Sequence, residues 1–155
     1  MKELERSTNM ADTIFEAKAT SVEGLVVKCE SRGFSFQLDE PASLGGTDTG
    51  MNPVEALLSA LGACKCIVAR AFAQVNKIKL QDVHIDLEGV LDPDGFMGKN
   101  KDAKIGFSKI TTKFHIKADN TKEEIEQFVA FIEAHCPVHD TLSNAPTFET
   151  EVFCE

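Results

Sequence analysis

With 155 residues, 43% of them hydrophobic, the chain can bury one good core and is too short for two ordinary domains. Sixteen Lys and Arg are scattered among 25 Asp and Glu, for a net charge of −9, and phosphate binding needs basic residues in clusters, so a nucleic-acid partner is excluded. Five cysteines are an odd count, and the opening MKELERSTNM lacks the apolar stretch that secretion needs, so the thiols are expected reduced, in the cytoplasm.

Residues 1–12 are expected to be a flexible amino terminus and residues 13–155 a single domain. From Thr13 to Leu38 the segments TIFEAKATSV, GLVVKCES and GFSFQLDE read as a strand meander, with Gly24 and Arg32-Gly33 at the turns. The loop PASLGGTDTGMN follows. It lacks the G-K-[ST] ending of a phosphate-binding loop and is read as a turn that shapes a pocket mouth. Asn52-Pro53 then supplies a cap and a first-turn proline for a long helix running to about Ala73. Glu55, Lys65 and Arg70 interrupt its apolar run, which argues for a core helix and against a membrane span. Ser59, Ala60, Gly62 and Ala63 leave room for another element to approach it closely.

QDVHIDLEGVLD and SKITTKFHIKAD alternate apolar and polar residues as half-buried strands do, with a turn-rich segment between them. Thr121 and Glu124 form a capping box ahead of IEQFVAFIEAH, a helix with Ile125, Phe128, Val129 and Ile132 on its apolar face, ending near His135. Pro137 breaks it. PVHDTLSNAP is a short turn or helix, and TFETEVF is expected to be a last strand. The fold class is α+β.

Cys64 lies inside the apolar run NPVEALLSALGACKCIVARAFA, and Cys136 lies at the turn HCPVHDTL. A buried cysteine is commonly a small hydrophobe without reactivity. Cys136 differs because it sits between a helix end and a proline, beside His135 and near His139, where positive charge can favour a thiolate. Cys66 points about 200° around the helix from Cys64, so the two cannot pair on an intact helix. It is read as core, and Cys29 and Cys154 as structural or incidental. His84 and His115 are read as packed or exposed strand residues. H-C-x-x-H offers His135, Cys136 and His139 to a metal, but zinc wants a fourth ligand and no paired knuckle supports it, so no metal site is assigned.

LGGTDTGMNPVEALLSALGAC, followed later by HCPVHDTLSNAPTFETEVF, resembles the OsmC/Ohr family of organic hydroperoxide reductases. The likeness runs from about Ala17 onward. It implies an OsmC-like fold, with antiparallel strands curled around a long central helix, in an intertwined homodimer whose active sites lie at the interface. It also implies an antioxidant stress-response enzyme; no cofactor and no membrane partner are expected. Cys64 takes the peroxidatic position and Cys136 the resolving one. An organic hydroperoxide oxidises Cys64 to a sulfenic acid, a Cys64–Cys136 disulfide follows, and a dithiol such as a lipoyl protein reduces it.

Two positions depart from the family pattern. The family's activating arginine falls near Gly24 or Leu25, which carry no charge, and its glutamate falls at Val54, with Glu55 one residue later and about 180° around the helix from Cys64. Cys64 is too far past Pro53 for the helix dipole to lower its pKa. Arg32, Lys65 or a partner's cation would have to do so. Glu55, Arg32 and His139 are therefore carried as supporting residues, with Arg70 expected to face elsewhere. The alternative function is an OsmC-like binding protein for an apolar or acyl ligand that has lost efficient peroxide chemistry.

Overall fold

The computed structural model describes residues 12–154, so all of the expected flexible terminus except Asp12 lies outside the described residues. The chain divides at Pro53 into two compact units. The first is a three-stranded antiparallel meander of β1 (Lys18–Glu23), β2 (Val26–Ser31) and β3 (Phe34–Leu38), in that order across the sheet. Both connections are the two-residue turns expected from Gly24 and Arg32-Gly33. All three residues have positive φ, the left-handed twist that lets so short a turn match the twist of its strands. Phe34 and Phe36 remain exposed on this sheet.

Asp39 organises the loop after β3, a role the sequence alone did not single out. Its side chain is buried and accepts five hydrogen bonds: from the Glu40 amide at 2.8 Å, the Thr47 amide and hydroxyl at 3.0 and 2.6 Å, and the Thr49 amide and hydroxyl at 3.1 and 2.9 Å. These donors, the Thr47 hydroxyl first, hold its pKa well below the ordinary carboxylate range, because each favours the charged form. The loop also closes through the Asp39 amide, which donates to the Met51 carbonyl at 3.2 Å. It packs so tightly that a side chain at Gly46 would overlap the Glu40 carbonyl.

The second unit is built on α1 (Pro53–Phe72), which begins at the predicted proline and ends one residue short of Ala73. It packs against a hairpin of β4 (Leu80–Val90) and β5 (Lys109–Ala118) and against α3 (Lys122–His135). Leu61, Val68 and Ala69 of α1 join Phe128 and Ile132 of α3 in the core, with Val83, Leu87 and Phe114 of the hairpin packed against them. Gly62 gives the close approach expected from the small-residue stretch: a Cβ there would lie 2.6 Å from Leu87 Cδ1. In the predicted capping box, the Thr121 amide donates to Glu124 Oε2 at 2.9 Å and the Glu124 amide to Thr121 Oγ1 at 3.3 Å.

Two elements differ from the sequence reading. The turn-rich connection contains a one-turn helix, α2 (Pro93–Phe96), started by Asp92, whose side chain accepts from the Asp94 amide. TFETEVF is not a strand: Phe148, Val152 and Phe153 are exposed, and the sheets among the described residues are β1–β2–β3 and β4–β5 only. Alternation makes a segment fit to be a strand, but the strand forms only where an edge is available to pair with it.

The Asp39 network yields a prediction. Asp39→Asn, whose amide cannot accept on both of its atoms, should lower the thermal midpoint by several degrees and open residues 39–51 to limited proteolysis. Because folding lowers the Asp39 pKa, its contribution is present above the ordinary carboxylate value and should be lost progressively below about pH 4. The variant should lack that acid-dependent step.

Candidate active site

α1 and the junction of α3 with α4 (Pro137–Ser143) bring the two predicted cysteines together. The Cys136 thiol donates to Cys64 Sγ at 2.8 Å, and both are free thiols. Cys136 is 1% exposed and Cys64 half-buried. The local cause is Pro137. It stops α3, turns Cys136 into the extended N-cap of α4, and starts a new helix whose first amide groups have no partner within that helix. One of those amides serves a sulfur: the His139 amide donates to Cys136 Sγ at 3.4 Å.

Burial pushes the Cys64 thiol above its ordinary pKa, and the hydrogen bond shared with Cys136, followed by the closeness of the two sulfurs, raises it further. The Val138 amide and the Lys65 ammonium pull the other way. The balance of these effects favours the neutral Cys64 thiol, whereas the peroxide chemistry implied by the sequence needs a thiolate.

Lys65 follows Cys64 on α1 and is 1% exposed. Its Nζ donates to Glu133 Oε1 of α3 at 2.9 Å and to Thr112 Oγ1 of β5 at 3.2 Å, and it lies 5.4 Å from the centre of the Phe114 ring. A buried ammonium is tolerated only with such partners. Thr112 and Glu133 also line an open cavity of about 340 Å³, whose wall includes Leu61, Ile110, His139 and Leu142. The positive group beside Cys64 is thus held by residues that form the cavity wall.

The remaining residues singled out in the sequence have the following surroundings. Glu55 lines a separate cleft between α1 and β4 with Ser59, Gly62 and Cys66, and Cys64 does not line that cleft. Arg32 belongs to the amino-terminal unit, where its guanidinium lies 5.3 Å from the centre of the Phe34 ring. Arg70 reaches β4, donating to the Gln81 carbonyl and pairing with Asp82 at 3.3 Å, consistent with its expected orientation. The His135 ring stacks on Phe131, with centroids 3.8 Å apart, and its Nδ1 lies 2.8 Å from the Phe131 carbonyl. Cys66 is half-buried, and burial raises its thiol pKa, as suits a packing residue.

Glu133, Thr112 and the Val138 amide were not identified from the sequence. Glu133 sits beside Ile132 on a helix already accounted for by its apolar face, and nothing local marks it as the partner of a lysine on α1. The Cys-Pro step was the available signal for Val138, since a proline-started helix offers unpartnered amides just after it.

Residues 46–151 match the family model described as OsmC-like protein. The chain is 28% identical over 118 residues to a hydroperoxide reductase of Mycoplasma genitalium, covering 76% of this chain and 80% of that protein. It is 27% identical over 117 residues to a hydroperoxide reductase of Mycoplasma pneumoniae, covering 76% and 79%. Among solved structures it resembles an OsmC-like protein from Mycoplasma pneumoniae, with a TM-score of 0.77, 26% identity, and coverage of 87% and 91%.

The electrostatics of Cys64 can be tested by its reactivity. Its alkylation by iodoacetamide should still be accelerating at about pH 9, past the ordinary cysteine midpoint. Lys65→Met should raise the midpoint further and slow alkylation at a fixed pH by roughly two- to tenfold, the effect of losing up to one pKa unit of charge interaction. An unchanged profile in Lys65→Met would mean that the ammonium does not act on the thiol. The α+β topology, the Asn-Pro helix start and the matched residues together establish that this chain belongs to the OsmC-like family.

Proposed function

We propose that the protein is a thiol peroxidase that reduces organic hydroperoxides to alcohols through Cys64 and Cys136. The observation that carries this reading is the 2.8 Å separation of the two sulfurs, with no other protein group between them. The hydroperoxide reductases of Mycoplasma to which the chain is similar support the substrate class.

The reaction starts when Cys64 loses its proton and the thiolate attacks the outer peroxide oxygen. The O–O bond breaks, the alkoxide leaves as an alcohol on taking a proton, and Cys64 becomes a sulfenic acid. Cys136 then attacks the Cys64 sulfur, a disulfide forms, and water is lost. An external dithiol, such as a lipoyl group, restores both thiols by exchange and is itself oxidised to a disulfide.

The Lys65 ammonium and the Val138 amide stabilise the thiolate, the roles that the absent arginine leaves open. In this reading the nearby cavity walled by Leu61, Ile110, Leu142 and His139, whose lining includes neither cysteine, would take the apolar organic group. A homodimer fits this reading, because Phe34 and Phe36 on the amino-terminal sheet and the strand-like segment 147–153 are exposed in the single chain.

Consumption of cumene hydroperoxide with dihydrolipoamide tests the proposal. Cys64→Ser should abolish turnover. Cys136→Ser should allow one oxidation and then accumulate Cys64 sulfinic acid, because no resolving thiol competes with a second peroxide. Full multiple-turnover activity in Cys136→Ser would contradict the resolving role. No consumption by the native chain, with an apolar ligand copurifying, would support a binding protein instead.

A further inference from the structure

The hairpin carries a second constellation apart from the Cys64–Cys136 pair, with His84 and Asp86 lining the α1–β4 cleft that also holds Cys66. Val83 and Leu87 turn inward to the core, so the strand's two-residue period sends His84 and Asp86 to the opposite face. The β4–β5 register places His115 directly across from His84. The two imidazoles stack with centroids 4.3 Å apart and planes 8° from parallel, and Asp86 Oδ2 lies 2.9 Å from His115 Nε2. One donor atom from each of the three residues lies within 4.8 Å of the others.

We propose that His84, Asp86 and His115 form a surface site for a divalent transition-metal ion that favours imidazole nitrogen, such as zinc, nickel or copper. Two imidazoles and one carboxylate suit such ions, and a three-ligand protein site leaves the remaining coordination positions to water. The backbone is already in place, because the ladder pairs residues on both sides of the site, from Val83 with Ile116 to Val90 with Lys109. The three side chains are exposed, with their donor atoms already within 4.8 Å of one another. Neighbouring cations do not fill the position: Lys113, the register partner of Asp86, pairs with Glu88 at 2.6 Å, and Arg70 pairs with Asp82. An ion here would bridge β4 to β5 and stabilise the folded hairpin by mass action.

The cysteines also bind such metals, so the test must locate the ion. Nickel(II) chloride titrated into ¹⁵N-labelled protein should broaden the resonances of residues 82–88 and 111–117 first, through its unpaired electrons. It should also raise the thermal midpoint. His84→Asn and His115→Asn should each weaken the effect by about tenfold or more, at least what loss of a supporting partner costs a metal site. They should leave peroxide turnover unchanged, and their own spectra report whether they fold. Broadening that starts at Cys64, Cys136 and His139, that is absent from the hairpin, or that persists there undiminished in both variants would overturn the site.

Discussion

The close approach of Cys64 and Cys136 depends on the way one proline ends a helix. Pro137 cannot continue α3, so the chain turns at Cys136 and begins α4, and the turn sets one sulfur against the other at 2.8 Å. Around this contact, α1 supplies Cys64 and Lys65, α3 supplies Glu133, and β5 supplies Thr112. The core of Leu61, Phe128 and Ile132 fixes α1 and α3 relative to each other, so apolar packing and the polar contacts specify the same arrangement.

The site balances two opposing effects. Burial favours the neutral Cys64 thiol, while the buried Lys65 ammonium and the Val138 backbone favour the anion. Lys65 is itself held by Glu133, a half-exposed carboxylate on the cavity wall.

Much of this was legible in the sequence because its signals are local. Asn52-Pro53 marked the start of α1, the Thr121–Glu124 box marked the start of α3, and Cys136-Pro137 marked the break. What was missed depends on contacts between distant parts of the chain. Asp39 looks like any acidic residue ahead of a loop until Thr47 and Thr49 fold back onto it, and Lys65, already a candidate cation for Cys64, shows its partners Glu133 and Thr112 only once the chain is folded. The stacked histidines escaped notice for the same reason, since only the β4–β5 register makes them neighbours. TFETEVF shows the converse, a pattern legible as a strand that pairs with neither described sheet.

The central claim is that these two sulfurs form one redox unit, and the most direct measurement is a peptide map of the protein after one equivalent of cumene hydroperoxide. The account predicts a single linkage between the peptides holding Cys64 and Cys136, with the whole chain lighter by two hydrogen atoms and Cys29, Cys66 and Cys154 still free. Oxygen retained on Cys64 without that linkage, or a disulfide joining other cysteines in its place, would contradict it.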